Sequence, residues 1–293
     1  GLKHDTWFYS MGRGAYGTVA FWEEWYEEEG HRGSYDWLVD FEEFGPAVEM
    51  CLEHRVASRI LIVGCGNSAF SSELFARGYR RLVNVDNCGA IIAAQRARHP
   101  MLQWTEADVR RTPFADASFD AVIDKGCLDN LYCYVDARDA VKQFVAEVRR
   151  LLRPGGRLAV LSCHDAEATR RALLGSYDDD GCGDGGDDEW RAAVVPLPNP
   201  RWPRIRIRDY HFALCEKSPG TDADDLRRVL EDAVAALPSR EDAAAATMRQ
   251  RQSPPAARLE GTEETRLARL ERRASGRRHA ALITSAPSQD GDG

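Results

Sequence analysis

The chain has 293 residues, a net charge of −8, 43% hydrophobic and 29% charged residues, a make-up close to soluble globular averages, with apolar content for a sizeable core. The acidic balance argues against a protein that lives on phosphate backbones. No run approaches the roughly 18 consecutive apolar residues of a membrane span, and no basic stretch followed by an apolar run opens the chain, so neither a membrane segment nor a secretory leader is expected. Gly1 stands first rather than Met, which is compatible with a processed chain or a piece of a longer one.

Residues 1–57 hold an aromatic and acidic segment, read as a helical N-terminal part. The folded pattern proper starts at Arg59-Ile60-Leu61-Ile62-Val63, a continuous apolar run of the kind a strand buried on both faces shows. Gly64-Cys65-Gly66 breaks it, and 68–77 reads as a helix with Phe70 and Leu74 on one face and Gly78 at its end. Strand two follows at 82–85, a helix at 89–98 stopped by Pro100, and strands three and four at 102–107 and 119–123. Val141, Phe144, Val145, Val148, Leu151 and Leu152 form one helical stripe, ended by Arg153-Pro154-Gly155-Gly156 before strand five at 157–162. Two further runs, 190–195 and 210–216, have no long helix between them and predict an antiparallel pair at one sheet edge. Strand alternating with helix through short loops predicts a doubly wound α/β sandwich.

Two stretches fall outside that pattern. Residues 177–189 (YDDDGCGDGGDDE) read as an acidic surface insertion. Residues 218–293 lack Phe, Trp and Tyr and are charge-balanced; helices over 224–237 and 263–273 are conceivable but have little to bury, so this part reads as a mostly disordered tail. Three parts are thus expected: 1–57, 58–217 and 218–293.

Eight cysteines stand at 51, 65, 88, 127, 133, 163, 182 and 215, none spaced as CxxC and none near a His pair at zinc-ligand spacing. They read as reduced thiols of a cytoplasmic protein, with no metal site.

In a doubly wound sheet the ligand sits beyond the carboxyl ends of the strands, where strand order reverses. The turn Gly64-Cys65-Gly66-Asn67-Ser68-Ala69 lies there; its glycines allow close backbone approach and the next helix offers N–H donors. Alone it also fits a dinucleotide fingerprint or a plain tight turn. Asp86 at the end of strand two suits a pair of ribose hydroxyls, and Asp108-Val109 after strand three an adenine edge, although either acid alone is equally explained as a surface group.

This constellation, with the Leu152-Arg153-Pro154-Gly155-Gly156 approach to strand five and the closing edge pair, resembles the class I S-adenosylmethionine-dependent methyltransferases over about residues 21–217. The resemblance implies a Rossmann-like seven-stranded sheet with an antiparallel edge strand, and S-adenosylmethionine as cofactor. Residues for hydride transfer are not found. Enzymes that methylate a base amine carry an [Asp/Asn]-Pro-Pro-aromatic turn at strand four, whereas this chain has Asp124-Lys125-Gly126-Cys127-Leu128-Asp129-Asn130; Asn199-Pro200-Arg201-Trp202 comes after strand five and reads as a loop.

Residues 124–130 are similar to the DKGTLDA signature of a subgroup of protein lysine methyltransferases, which includes enzymes acting on translation elongation factor 1A and on citrate synthase. Phe21-Trp22-Glu23-Glu24-Trp25-Tyr26 resembles the subgroup's YWxxRY, Tyr35-Asp36-Trp37 its YDW, and Gly64-Cys65-Gly66-Asn67-Ser68 its GCGNS. Cys127 stands for the subgroup's Thr, Asn130 for its Ala, Trp25 for its Arg and Phe21 for its Tyr. The resemblance implies cofactor contacts at Trp22, Tyr26, Trp37, Gly64, Gly66, Asp86, Asn87, Asp108, Val109 and Lys125, substrate orientation by Asp124 and Asp129, a lid role for 1–57, and a protein substrate, with elongation factor 1A a candidate and no nucleic acid or membrane partner. Read without it, Trp22, Tyr26 and Trp37 are ordinary helix-packing aromatics. Lys125 would repel a sulfonium, so the donor's carboxylate end or a neighbouring acid is its expected partner. The acidic segments Glu23-Glu24, Glu27-Glu28-Glu29 and Glu42-Glu43 could attract a basic protein surface, but a solvated face explains them better. A small-molecule methyltransferase and a non-catalytic binding module on the same fold stay open as alternatives.

Overall fold

The computed structural model describes residues 16–29, 33–175, 190–197, 210–217 and 222–237. The expectations for 177–189, for Asn199-Pro200-Arg201-Trp202 and for the chain beyond 237 lie outside the described residues. Among the described residues no helix is long and apolar enough to cross a membrane.

Seven strands form one sheet in the order β3-β2-β1-β4-β5-β7-β6: β1 (Arg59–Val63), β2 (Arg81–Asp86), β3 (Gln103–Glu106), β4 (Phe119–Lys125), β5 (Leu152–Ser162), β6 (Trp190–Leu197) and β7 (Tyr210–Lys217). Strands β1 to β5 are mutually parallel, and β7 runs antiparallel to both β5 and β6. The expected antiparallel pair is therefore present, with the reversed strand second from the edge. Strand β1 shows why its run is apolar throughout: Ile60 and Ile62 join one core cluster and Leu61 and Val63 the other, on opposite faces of the sheet. Strand β5 begins earlier than the pattern suggested. Leu152 already pairs with Phe119, and the register shifts between Phe119 and Ala121, so the Arg153-Pro154-Gly155-Gly156 turn is an irregularity within the strand.

Eight helices are described: α1 (Val19–Glu29), α2 (Phe41–Cys51), α3 (Phe70–Ala76), α4 (Gly89–Arg98), α5 (Cys127–Leu131), α6 (Ala137–Leu151), α7 (Ala166–Leu174) and α8 (Ala223–Ala235). Helix α6 buries Ala140, Val141, Phe144, Val145, Val148 and Leu151, the stripe legible in its spacing. Helix α2 starts with a reciprocal cap: Asp40 accepts the Glu43 N–H and Glu43 accepts the Asp40 N–H. That accounts for Glu43, which is buried and does not belong to a solvated acidic face.

Helix α8 falls on one of the two stretches, 224–237, where a charged helix is conceivable. Leu226, Leu230 and Ala233 recur at helical spacing and are buried in the same core cluster as β6, β7 and α2. Asp222 caps it by accepting the Asp224 N–H at 3.0 Å. These three, with Val229 and Val234 packed beside them, sufficed because the groove that receives them is built by strands and a helix distant in sequence. Leu230→Ala is expected to lower the free energy of unfolding by about 2–5 kcal/mol in urea titrations; a wild-type midpoint would show that α8 contributes nothing to the core.

Candidate active site

The strand order reverses between β1 and β4, and the carboxyl ends of β1 to β4 meet there around a cavity of about 890 Å³, part of it open solvent. From the sheet come Gly64, Asp86, Asn87 and Lys125, and from the segment after β3 Asp108 and Val109. The N-terminal segment and α1 add Tyr16, Trp22, Tyr26, Trp37 and Leu38, and the α5 region closes the side with Gly126, Cys127, Asp129, Asn130, Leu131 and Tyr134. All the expected cofactor contacts line it except Gly66.

The glycine turn is required sterically. Gly64 has φ +57°, and a Cβ there would stand 2.7 Å from the Cβ of Cys127. Gly66 has φ +49°, and a Cβ would stand 2.5 Å from the Tyr26 hydroxyl, so this glycine admits Tyr26 to the site without lining it. Its N–H donates to Asp86 Oδ2 at 2.9 Å, while Cys88 N–H donates to Oδ1 at 3.0 Å. An ionised carboxylate offers about four acceptor positions, so Asp86 keeps capacity for further donors. Burial pushes its carboxyl up from the ordinary value, with those N–H groups opposing.

Asp108 is held differently. Arg110 Nε and Nη2 reach its carboxylate at 2.6–3.0 Å, and the Arg110 N–H reaches Oδ1 at 2.8 Å. Burial raises its carboxyl, but the Arg110 contacts outweigh burial and hold it below the ordinary range. The loop that follows is anchored by Glu147 of α6, which accepts both the N–H and the hydroxyl of Thr112 at 2.7 Å.

The aromatic side chains form one cluster around Trp22, whose ring lies 6.0 Å from Tyr26, 5.7 Å from Trp37 and 6.1 Å from Tyr16. Trp25, where the similar sequences carry Arg, is buried and packs on Trp37 at 5.5 Å. Asn130, where they carry Ala, donates its Nδ2 to the Tyr16 carbonyl at 2.6 Å, and the same carbonyl accepts Trp22 Nε1 at 2.9 Å. A Cβ on Gly17 would stand 2.6 Å from the Cys133 carbonyl, so backbone packs on backbone at this contact.

Lys125 meets the second of its two expected partners, a neighbouring acid. Its ammonium, with the side chain 8% exposed, pairs with Asp36 at 3.0 Å and donates to the Trp37 carbonyl at 2.8 Å. Asp36 also accepts the Ser68 hydroxyl. The YDW, GCGNS and DKG stretches thus converge on one carboxylate.

The two expected orienting acids separate. Asp124 does not line the cavity: its oxygens accept the N–H groups of Cys127 at 2.8 Å and Leu128 at 3.0 Å, the opening donors of α5. In this structure it holds the opening turn of α5. Asp129 does line the cavity. Tyr16, Leu38, Leu131 and Tyr134 were not anticipated, because nothing local in their spacing marks them; the chain fold alone brings them in.

With this geometry in view, residues 61–160 match the family described as Methyltransferase domain. Similar curated proteins are EEF1A lysine methyltransferase 4 of Mus musculus, 37% identical over 155 residues (48% of this chain, 59% of that protein), and of Bos taurus, 37% over 158 residues (50% and 61%). The eEF1A lysine and N-terminal methyltransferase of Homo sapiens is 31% identical over 168 residues, 54% of this chain and 23% of that protein. The chain spans less than two thirds of the length of each of these relatives. By domain match and these likenesses, residues 61–160 are similar to a methyltransferase domain, and about half of the chain is similar to the subgroup that contains these enzymes.

Two outcomes test the site. Lys125→Met is expected to lower the unfolding free energy by about 1–3 kcal/mol by leaving the half-buried Asp36 carboxylate without its cation. Combined with Asp36→Asn it is expected to lose less than the sum of the single losses; additive losses would show that the pair does not interact. The Asp124 carboxyl is pushed up to about 8 by burial and by the charge of Asp129, from an ordinary value of 3.8. The folded state therefore keeps a proton that the unfolded chain releases, so this group's contribution is full below the unfolded value and is lost as pH rises toward 8. In Asp124→Asn the decline of the urea midpoint between about pH 5 and 8 is expected to be shallower than in wild type; equal slopes would show that the buried carboxyl is ionised throughout.

Proposed function

We propose that this chain is an S-adenosylmethionine-dependent methyltransferase that acts on a protein lysine amine, with elongation factor 1A the candidate substrate and the cytoplasm its place of action. The observation that carries this reading is that the glycine turn, Asp86 and Asp108-Val109 share one cavity with the aromatic cluster and with Asp129. The names and the 37% identity of the relatives support the choice of substrate.

When bound, S-adenosylmethionine supplies a methyl group already activated on a sulfonium. The residues present suit it: Asp86 has lone pairs for ribose hydroxyls, Asp108 and the Val109 N–H flank the place for an adenine edge, and Gly64 leaves space that a Cβ would fill. The faces of Trp22, Tyr26 and Trp37 attract positive charge, worth about 0.5–2 kcal/mol for a desolvated cation. Lys125, neutralised by Asp36, holds the Trp37 backbone in place without opposing that cation.

For the substrate the chain supplies alignment and dryness. Asp129 orients the incoming amine, and the apolar, aromatic walls lower the amine's pKa by desolvating its charged form. The N-terminal segment, 1–57, acts as a lid that keeps water from the reacting atoms. Incubation with tritiated S-adenosylmethionine and purified elongation factor 1A is expected to label the protein, and Asp86→Ala to raise the donor Kd at least about tenfold. Label confined to small molecules would transfer the reading to a small-molecule methyltransferase, and donor affinity unchanged in folded Asp86→Ala would remove Asp86 from the donor site.

A further inference from the structure

The carboxylate of Asp129 is constrained on one side only. Asp129 is 4% exposed, and its Oδ1 receives the Ser162 hydroxyl at 3.0 Å, the Cys163 N–H at 3.0 Å and the Cys163 thiol at 3.3 Å. Its Oδ2 is buried and has no hydrogen-bond partner among the described residues, although the residue lines the cavity. A buried carboxylate oxygen left without a donor is costly unless a ligand supplies one. Ser162, 1% exposed at the last position of β5, is itself fixed, since its Oγ accepts the His164 N–H at 3.0 Å.

We infer that Ser162 is a positioning residue for methyl transfer: its hydroxyl holds Oδ1 of Asp129 so that Oδ2 is turned to the substrate's ammonium. This rests on the proposed function above. Asp129 Oδ2 takes one proton from the lysine ammonium, the O–H bond forming as the N–H bond breaks. The lone pair so freed on nitrogen forms the N–C bond while the S–C bond breaks, with its electrons left on sulfur. The carboxyl returns its proton to solvent when the product departs. The groups facing Asp129 are Asp124 from the end of β4, Cys133 after α5, and Cys163 and His164 after β5. Burial raises the Asp129 carboxyl, and the Cys163 and Ser162 donors draw it back down, so removing the Ser162 hydroxyl frees burial to raise it further.

The test uses the full chain as wild type and as Ser162→Ala, Ser162→Cys and Ser162→Thr. The carbon-13 resonance of the Asp129 carboxyl, assigned with Asp129→Asn, is titrated, and tritiated methyl transfer to purified elongation factor 1A is followed against pH beside donor Kd by calorimetry. In Ser162→Ala the carboxyl is expected to titrate at higher pH, and kcat to fall at least about tenfold with its acid limb moved the same way, while donor Kd stays within about twofold. Should that variant not fold, Ser162→Cys, a near-isosteric and weaker donor, is expected to move both readouts in the same directions by less. Ser162→Thr, which keeps the hydroxyl, is expected to restore them. An unmoved carboxyl titration in a folded variant, or loss of donor affinity in step with kcat, would overturn the inference, as would a Thr variant no better than Ala. If wild type transfers no label to elongation factor 1A, the proposed function falls, and the carboxyl titration still decides whether Ser162 holds Asp129.

Discussion

The half-buried pairing of Asp36 with Lys125 is the contact through which the N-terminal segment becomes part of the site. An ammonium 8% exposed at the end of β4 is unfavourable unless it is paired and its donors are used. Asp36 and the Trp37 carbonyl meet that demand, and Ser68 adds a second hold on the same carboxylate. Trp37 is then fixed as one wall of the cavity, Trp22 packs edge-on against it, and Tyr26 fits over Gly66 because no Cβ stands in the way. The Asp36 carboxylate thereby ties the end of β4 and the glycine turn after β1 to a segment that carries most of the aromatic surface.

Negative charge in this cavity is managed one carboxylate at a time. Asp86 is steadied by backbone N–H groups, Asp108 by the guanidinium of Arg110, and Asp129 by donors at the end of β5. Asp124, adjacent to Asp129 and wholly buried, satisfies the first turn of α5 instead. Each arrangement leaves a different remaining capacity, and that difference distinguishes a group suited to hydroxyls from one suited to an ammonium. The same reasoning explains two departures from the similar sequences. Trp25 gives apolar support behind Trp37, and Asn130 adds a donor that fastens the Tyr16 carbonyl across to α5.

The sequence by itself determined the order and type of the parallel strands, the two-faced burial of β1, the stripe of α6 and the position of the glycine turn. These depend on periodicity and on backbone conformations that few residues adopt, both local properties. Only the tertiary structure decided that α8 belongs to the core, because a helix with a few modest apolar residues is stable or not according to the groove offered to it. It also decided the inner place of β7, which follows from pairing partners rather than from strand propensity. Within the site the same division holds. Two aspartates five residues apart look alike in sequence, yet one caps a helix and the other lines the cavity, since the direction of a side chain is set by the packing around it.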